Sequence, residues 1–134
     1  MESRTGGTMQ SAGLLVLRVG MGALLLFGHG WPKVAHFAEW APNFANPIGV
    51  GPDVSLALVV FAEVVCAALV IVGLATRLAC VPIVIFMSVA MFIQLAHKPW
   101  ADRELAAVFL VPFLALLFAG GGKYSLDALI RGRR

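Results

Sequence analysis

The sequence is poor in charged residues. Only 13% of its 134 residues are charged, whereas 60% are hydrophobic. Soluble domains usually carry about 25% charged residues, so this chain has too little polar surface to cover itself in water. The same scarcity excludes a nucleic-acid-binding module and a disordered tail, because both need many more charged or polar residues. We therefore expect a membrane protein whose main partner is the lipid bilayer and which binds no nucleic acid.

Cysteine is scarce as well. Cys66 and Cys80 lie inside long apolar runs and have no C-x-x-C spacing, which excludes a zinc ribbon and a dithiol redox motif. A hairpin of two helices would place them at different depths, so we expect no disulfide between them. The sequence also has no recognisable motif for haem, flavin or an iron–sulfur cluster.

Four apolar segments are long enough to cross a bilayer, since a hydrocarbon core of about 30 Å needs about 20 residues. Open strands cannot cross lipid with unpaired backbone groups, so these segments should be helices. The sequence predicts an all-α fold, an integral membrane four-helix bundle that forms a single membrane domain over 1–134. Pro82 is expected in the first turn of the third helix, and Pro112 in the middle of the fourth. The predicted spans are residues 12–30, 54–75, 78–97 and 104–121.

The segment between the first two spans predicts a short interfacial helix. In it, Val34, Phe37 and Trp40 alternate with charged residues at roughly helical spacing. Such a helix would lie in the headgroup layer on the outer side. A tethering loop whose aromatic residues anchor at the interface is the alternative.

Lysine and arginine predict the orientation. With four spans, both termini lie on one side of the membrane, and that side carries six basic residues against three on the other. The positive-inside rule then makes both termini cytoplasmic. The six are Arg4, Arg77, Lys123, Arg131, Arg133 and Arg134, and the three are Lys33, Lys98 and Arg103.

Two charges interrupt the spans themselves. Arg18 lies in the first span and Glu63 in the second. A charge in the middle of a bilayer costs about 2.5–3.5 kcal/mol on insertion scales, so both side chains should face the interior of the bundle. We expect them to pair with each other, either as part of a functional site or as a purely structural ion pair.

Further polar residues share faces with these charges. His29 lies on the stripe of the first span that carries Arg18, while Gln94 and His97 share a face of the third. Together they predict a polar cavity that opens at the outer end; ordinary interfacial side chains, or a helix–helix contact by Gln94, are the alternatives. A metal is not predicted, because the available ligands lack any motif spacing. The predicted substrate-binding residues are Arg18, His29, Glu63, Gln94, His97 and Glu104.

Five segments together resemble the DoxX family over about residues 12–127. The family's recurring polar residues fall on Arg18, Lys33, Glu63, Arg77, Glu104, Tyr124 and Asp127, so the resemblance adds Lys33 to the predicted site. Membership implies a small four-helix protein of the bacterial inner membrane. Members are associated with thiosulfate:quinone oxidoreductase, with membrane complexes that handle oxidative stress, and with detoxification of quinone-like or aromatic compounds. The segments are 17–20 (LRVG), 28–33 (GHGWPK), Glu63, 73–77 (GLATR) and 120–127 (GGGKYSLD).

Two functions follow from the resemblance and the polar residues. The first is a membrane component of an oxidoreductase system that binds a quinone or small aromatic, with Arg18 and Glu63 placing charge and His29 or His97 relaying protons. The second is a non-enzymatic accessory or assembly subunit, whose partner would be a subunit of a redox complex or a second copy of the chain. A transporter fits less well, because the sequence shows no inverted repeat of broken helices.

Overall fold

The computed structural model describes residues 4–44, 49–94 and 96–131, and this part of the chain is helical without strands. The first rod consists of α1 (Arg4–Leu25), a π-helical turn (Leu26–Gly30) and α2 (Trp31–Ala35). It ends where His36 leaves the helical region at φ −114° and ψ 24°. A short helix then follows, as predicted: α3 (Phe37–Trp40) continues into a 3₁₀ turn (Ala41–Asn43).

The second and third rods also contain a π-helical turn. The second consists of α4 (Pro52–Val60), a π-helical turn (Phe61–Cys66) and α5 (Ala67–Val72). The third consists of α6 (Thr76–Val89) and a π-helical turn (Ala90–Gln94). They are followed by α7 (Trp100–Ala119) and the short α8 (Leu126–Arg131). Each of the first three rods thus contains one π-helical turn.

Three helical segments are long and apolar enough to cross a membrane: Gly7–Ala35, Pro52–Val72 and Thr76–Ile93. This confirms three of the predicted spans by length and composition. α7 has 20 residues, but Asp102, Arg103 and Glu104 lie together near its start, so it is less apolar there than the other three segments. The fourth span therefore stays a prediction, as does the four-helix bundle.

The rods pack through one apolar face each. α6 lies along α7, and α1 contacts both α5 and α7. On α7, the buried residues are Ala106, Phe109, Phe113 and Leu116, which follow a helical period. Many large apolar side chains point outward instead, as expected for helices that face lipid; examples are Val16, Phe27, Leu78 and Phe118.

Pro82 and Pro112 both lie inside helices. Pro112 lies in α7 as predicted, whereas Pro82 is an interior residue of α6 rather than a residue of its first turn. The reason is that α6 begins at Thr76, before the apolar run that defined the predicted start. Cys66 and Cys80 are both buried and free.

The molecule has two distinct ends. We call the end with α3 and the start of α7 the loop end, and the end with the α5–α6 turn and α8 the terminal end.

Candidate functional site

A cavity of about 370 Å³ lies between the rods at the loop end. This volume falls within the range of small-molecule sites, which are mostly apolar with a few polar groups. Its walls are largely apolar, with Phe86 and Phe109 supplying aromatic surface. Five side chains that carry polar groups also line it: His29, Lys33, Ser55, Glu63 and Asp102.

The π-helical turns bring polar residues to this cavity. His29 lies in the first π-helical turn and Glu63 in the second, and these two turns contact each other. Their close approach depends on Gly30, because a Cβ there would lie 2.7 Å from the carbonyl oxygen of Glu63. A π-helical turn inserts a residue and shifts the helical phase, and such turns are frequent at functional sites.

Lys33 and Glu63 form an ion pair at the cavity wall. Lys33 Nζ lies 2.8 Å from Glu63 Oε1, and the two side chains are only 18% and 7% exposed. Lys33 Nζ also donates a hydrogen bond to the carbonyl oxygen of His29, at 3.1 Å. The angles between the ammonium and the carboxylate are not those of a hydrogen bond, and Oε1 accepts none from the described residues. The pair therefore places opposite charges side by side at the ligand-sized space.

His29 is held against the apolar wall. Its ring meets the ring of Phe109 edge to face, with centroids 5.2 Å apart and an interplanar angle of 82°. Phe109 in turn stacks with Phe113 at 6.5 Å. Edge-to-face contacts of this kind favour one ring orientation, so they restrain the imidazole beside the Lys33–Glu63 pair.

The predicted pair between Arg18 and Glu63 is wrong. Arg18 is fully buried, but at the terminal end. Its Nη1 donates to the carbonyl oxygens of Val70 at 3.1 Å and Ile71 at 2.9 Å, and its Nη2 donates to the carbonyl oxygen of Tyr124 at 2.8 Å. The last carbonyls of a helix have no partner within it, and the guanidinium has five N–H donors to satisfy them. Arg18 therefore closes the end of α5 and does not line the cavity.

Other polar residues implied by the resemblance also close helix ends. Asp127 accepts hydrogen bonds from the backbone N–H groups of Ala75, at 2.8 Å, and Thr76, at 3.0 Å, at the start of α6. Arg77 Nη2 donates to the carbonyl oxygen of Phe118, at 3.2 Å, near the end of α7. These contacts stabilise the terminal end, as capping side chains generally do.

The remaining predicted site residues do not join this cavity. His97 and Glu104 are exposed and do not line it, so the expected common cavity of the whole set is wrong. The side chain of Gln94 lies outside the described residues. Of the seven predicted residues, the structure brings together His29, Lys33 and Glu63.

Sequence reasoning missed Asp102 and chose Glu104 instead. Asp102, Leu105, Ala106 and Phe109 all line the cavity, and their spacing of i, i+3, i+4 and i+7 places them on one face of α7. Glu104 lies two positions further on, which is about 200° around the helix from Asp102. The apolar periodicity of α7, extended back to its first turn, is the signal that identifies Asp102.

A model of the DoxX family matches residues 13–96, which is more than half of the chain. The chain belongs to the DoxX family. The matched region contains two of the three segments that can span a membrane and all but the first six residues of the other, Gly7–Ala35. His29, Lys33 and Glu63 lie within it. Comparison with curated proteins and with solved structures finds no match. Within the described ranges, no group of three or more His, Cys, Asp or Glu side chains is placed to hold a metal ion.

Proposed function

We propose that this DoxX protein binds a quinone or a related small aromatic compound in the loop-end cavity. The observation that carries the proposal is the Lys33–Glu63 ion pair, which borders a largely apolar cavity of about 370 Å³. Aromatic side chains can pack against the faces of a ligand ring, and a few polar groups can form hydrogen bonds with its oxygens. Family membership favours a role within an oxidoreductase system, in which a partner subunit exchanges electrons with the bound compound.

The proposed setting is the bacterial inner membrane. In this setting α7 is the fourth span, and six basic residues against three favour cytoplasmic termini. The cavity would then lie toward the outer face of the membrane. Apolar ring compounds concentrate in lipid because of the hydrophobic effect, so they would reach this cavity from the bilayer as well as from water.

A cavity-filling variant tests the proposal. The purified chain in lipid nanodiscs is titrated with tetramethyl-para-benzoquinone, a fully substituted ring with no free position for addition by a thiol. Ala106 is buried on the cavity wall, whereas Ala115 is exposed on the same helix. We expect Ala106→Phe to weaken binding at least about tenfold by occupying the space of the ligand, and Ala115→Phe to leave it unchanged.

Two results would contradict this function. One is a wild-type chain that binds neither tetramethyl-para-benzoquinone nor the corresponding hydroquinone. The other is an Ala106→Phe chain that remains folded and binds as tightly as the Ala115→Phe control.

A further inference from the structure

One oxygen of the Glu63 carboxylate, Oε1, has no aligned hydrogen-bond donor among the described residues. The residue is 5% exposed, and its Oε1 atom is buried yet accepts no hydrogen bond from the described residues. Buried polar atoms in proteins nearly always have such a partner. The ion pair with Lys33 supplies opposite charge but not an aligned donor. Oε1 can therefore accept a hydrogen bond from a ligand, since the described part of the chain gives it no aligned donor.

A hydrogen-bond donor, Lys33, and an acceptor, Glu63, lie side by side in the cavity wall. Lys33 has three N–H donors, of which one is used by the carbonyl oxygen of His29. Glu63, in its carboxylate form, only accepts. A ring hydroxyl matches both neighbours, because it donates its proton to the carboxylate and accepts from the ammonium with a lone pair. A ring carbonyl satisfies Lys33 alone and turns its lone pairs toward the carboxylate.

The charge of the cavity points the same way. Lys33 and Glu63 neutralise each other, and Asp102 adds one further carboxylate to the lining. A ligand that carries its own carboxylate would meet unfavourable charge, because the lining already holds two carboxylates against one ammonium and like charges repel. The matching ligand is a neutral ring.

We propose that the cavity selects the reduced, hydroxyl-bearing form of its ligand, a hydroquinone or phenol, over the quinone. This inference rests on the proposed function, since it names which of the ring compounds the same cavity prefers. Glu63 is the residue that sets the preference, and Lys33 positions the ring oxygen beside it.

Three ligands that share one tetramethyl-substituted ring test the inference. They are tetramethyl-para-hydroquinone, tetramethyl-para-benzoquinone and the dimethyl ether of the hydroquinone, each titrated without oxygen into the chain in lipid nanodiscs. We expect the hydroquinone to bind at least about tenfold more tightly than the other two, because a hydrogen bond to a charged acceptor is lost with either.

The variant Glu63→Gln tests the residue. Its amide donates as well as accepts, so we expect the preference for hydroquinone to fall below about threefold or to reverse. Glu104→Gln is the matched control, because Glu104 is exposed and outside the cavity; it should keep the wild-type preference.

The outcomes separate the two proposals. If the wild type binds all three compounds equally, the selectivity is overturned while the proposed function stands. If it binds none, the proposed function fails and the inference falls with it. A preference that persists in folded Glu63→Gln overturns the role of Glu63. The comparison of three ligands on the wild type needs no variant, so it remains decisive even if Glu63→Gln does not fold.

Discussion

The substitution Arg18→Gln separates stability from ligand binding. Arg18 is fully buried at the terminal end, where it donates three hydrogen bonds to backbone carbonyls of α5 and of the segment before α8. Glutamine is shorter and offers two side-chain donors, so at least one of the three hydrogen bonds would be lost. The loop-end cavity contains none of the atoms involved. We therefore expect a destabilised chain with an intact ligand site.

The magnitude follows from the hydrogen bonds. Each bond from a charged donor contributes about 1.5–3 kcal/mol, but neighbouring bonds are not additive. Glutamine keeps at most two of the three hydrogen bonds, so we expect the free energy of unfolding to fall by at least about 1.5–3 kcal/mol, the contribution of one such bond. Arg77→Gln is the control: Arg77 is exposed and also donates to helix-end carbonyls, so its loss should cost no more than about 1 kcal/mol.

The assay is reversible unfolding in mixed detergent micelles, followed by circular dichroism, together with titration of tetramethyl-para-hydroquinone. The carbonyl partners of Arg18 on α5 are seven and eight residues from Glu63, about 11 Å along the helix axis. A double-mutant cycle of Arg18→Gln and Glu63→Gln should therefore give a coupling below about 0.5 kcal/mol. Wild-type stability in Arg18→Gln, or ligand affinity lost from the folded variant, would refute this account.

Three further predictions concern other positions. Asp127→Ala should lower the free energy of unfolding by about 0.5–2 kcal/mol in the same unfolding assay, because the first turn of α6 loses its cap. Gly73→Ala should cost about 1–3 kcal/mol, because φ is +77° and the new Cβ would clash with the side chain of Ser125. Its control, Gly13→Ala, has open space around it and should be neutral or stabilising by up to about 1 kcal/mol. Asp102→Asn should raise the affinity for benzoate by about threefold in a titration, since it removes a carboxylate from the cavity, whereas Glu104→Gln should not.

Composition and hydropathy predict the helical membrane architecture well. The three confirmed spans correspond to the first three apolar segments, because lipid demands both length and apolar composition. The bounds of the helices differ from those of the predicted spans, because a helix can continue beyond its apolar run. α1 begins at Arg4 and the first rod continues to Ala35, through residues that hydropathy alone leaves out.

The predicted site failed at Arg18 for a physical reason. The prediction considered only a carboxylate as the partner of Arg18. The unpaired backbone carbonyls at a helix end can also accept hydrogen bonds from a buried guanidinium. Lys33, the true partner of Glu63, came only from the family resemblance. It nevertheless continues the stripe of Arg18 and His29 by one further turn. The π-helical turns that align this stripe with Glu63 have no sequence signature, because they depend on packing between the rods.

The most direct test of the central claim is a nuclear magnetic resonance measurement of where the ligand lies. The chain, labelled with ¹³C at its methionine and alanine methyl groups, is placed in deuterated detergent micelles with tetramethyl-para-hydroquinone. Met87 and Ala106 line the cavity, whereas Ala115 is exposed on the outside of α7. We predict nuclear Overhauser contacts from the ligand methyl groups to Met87 and Ala106. Contacts to Ala115 and not to the cavity residues, at saturating ligand, would contradict the claim.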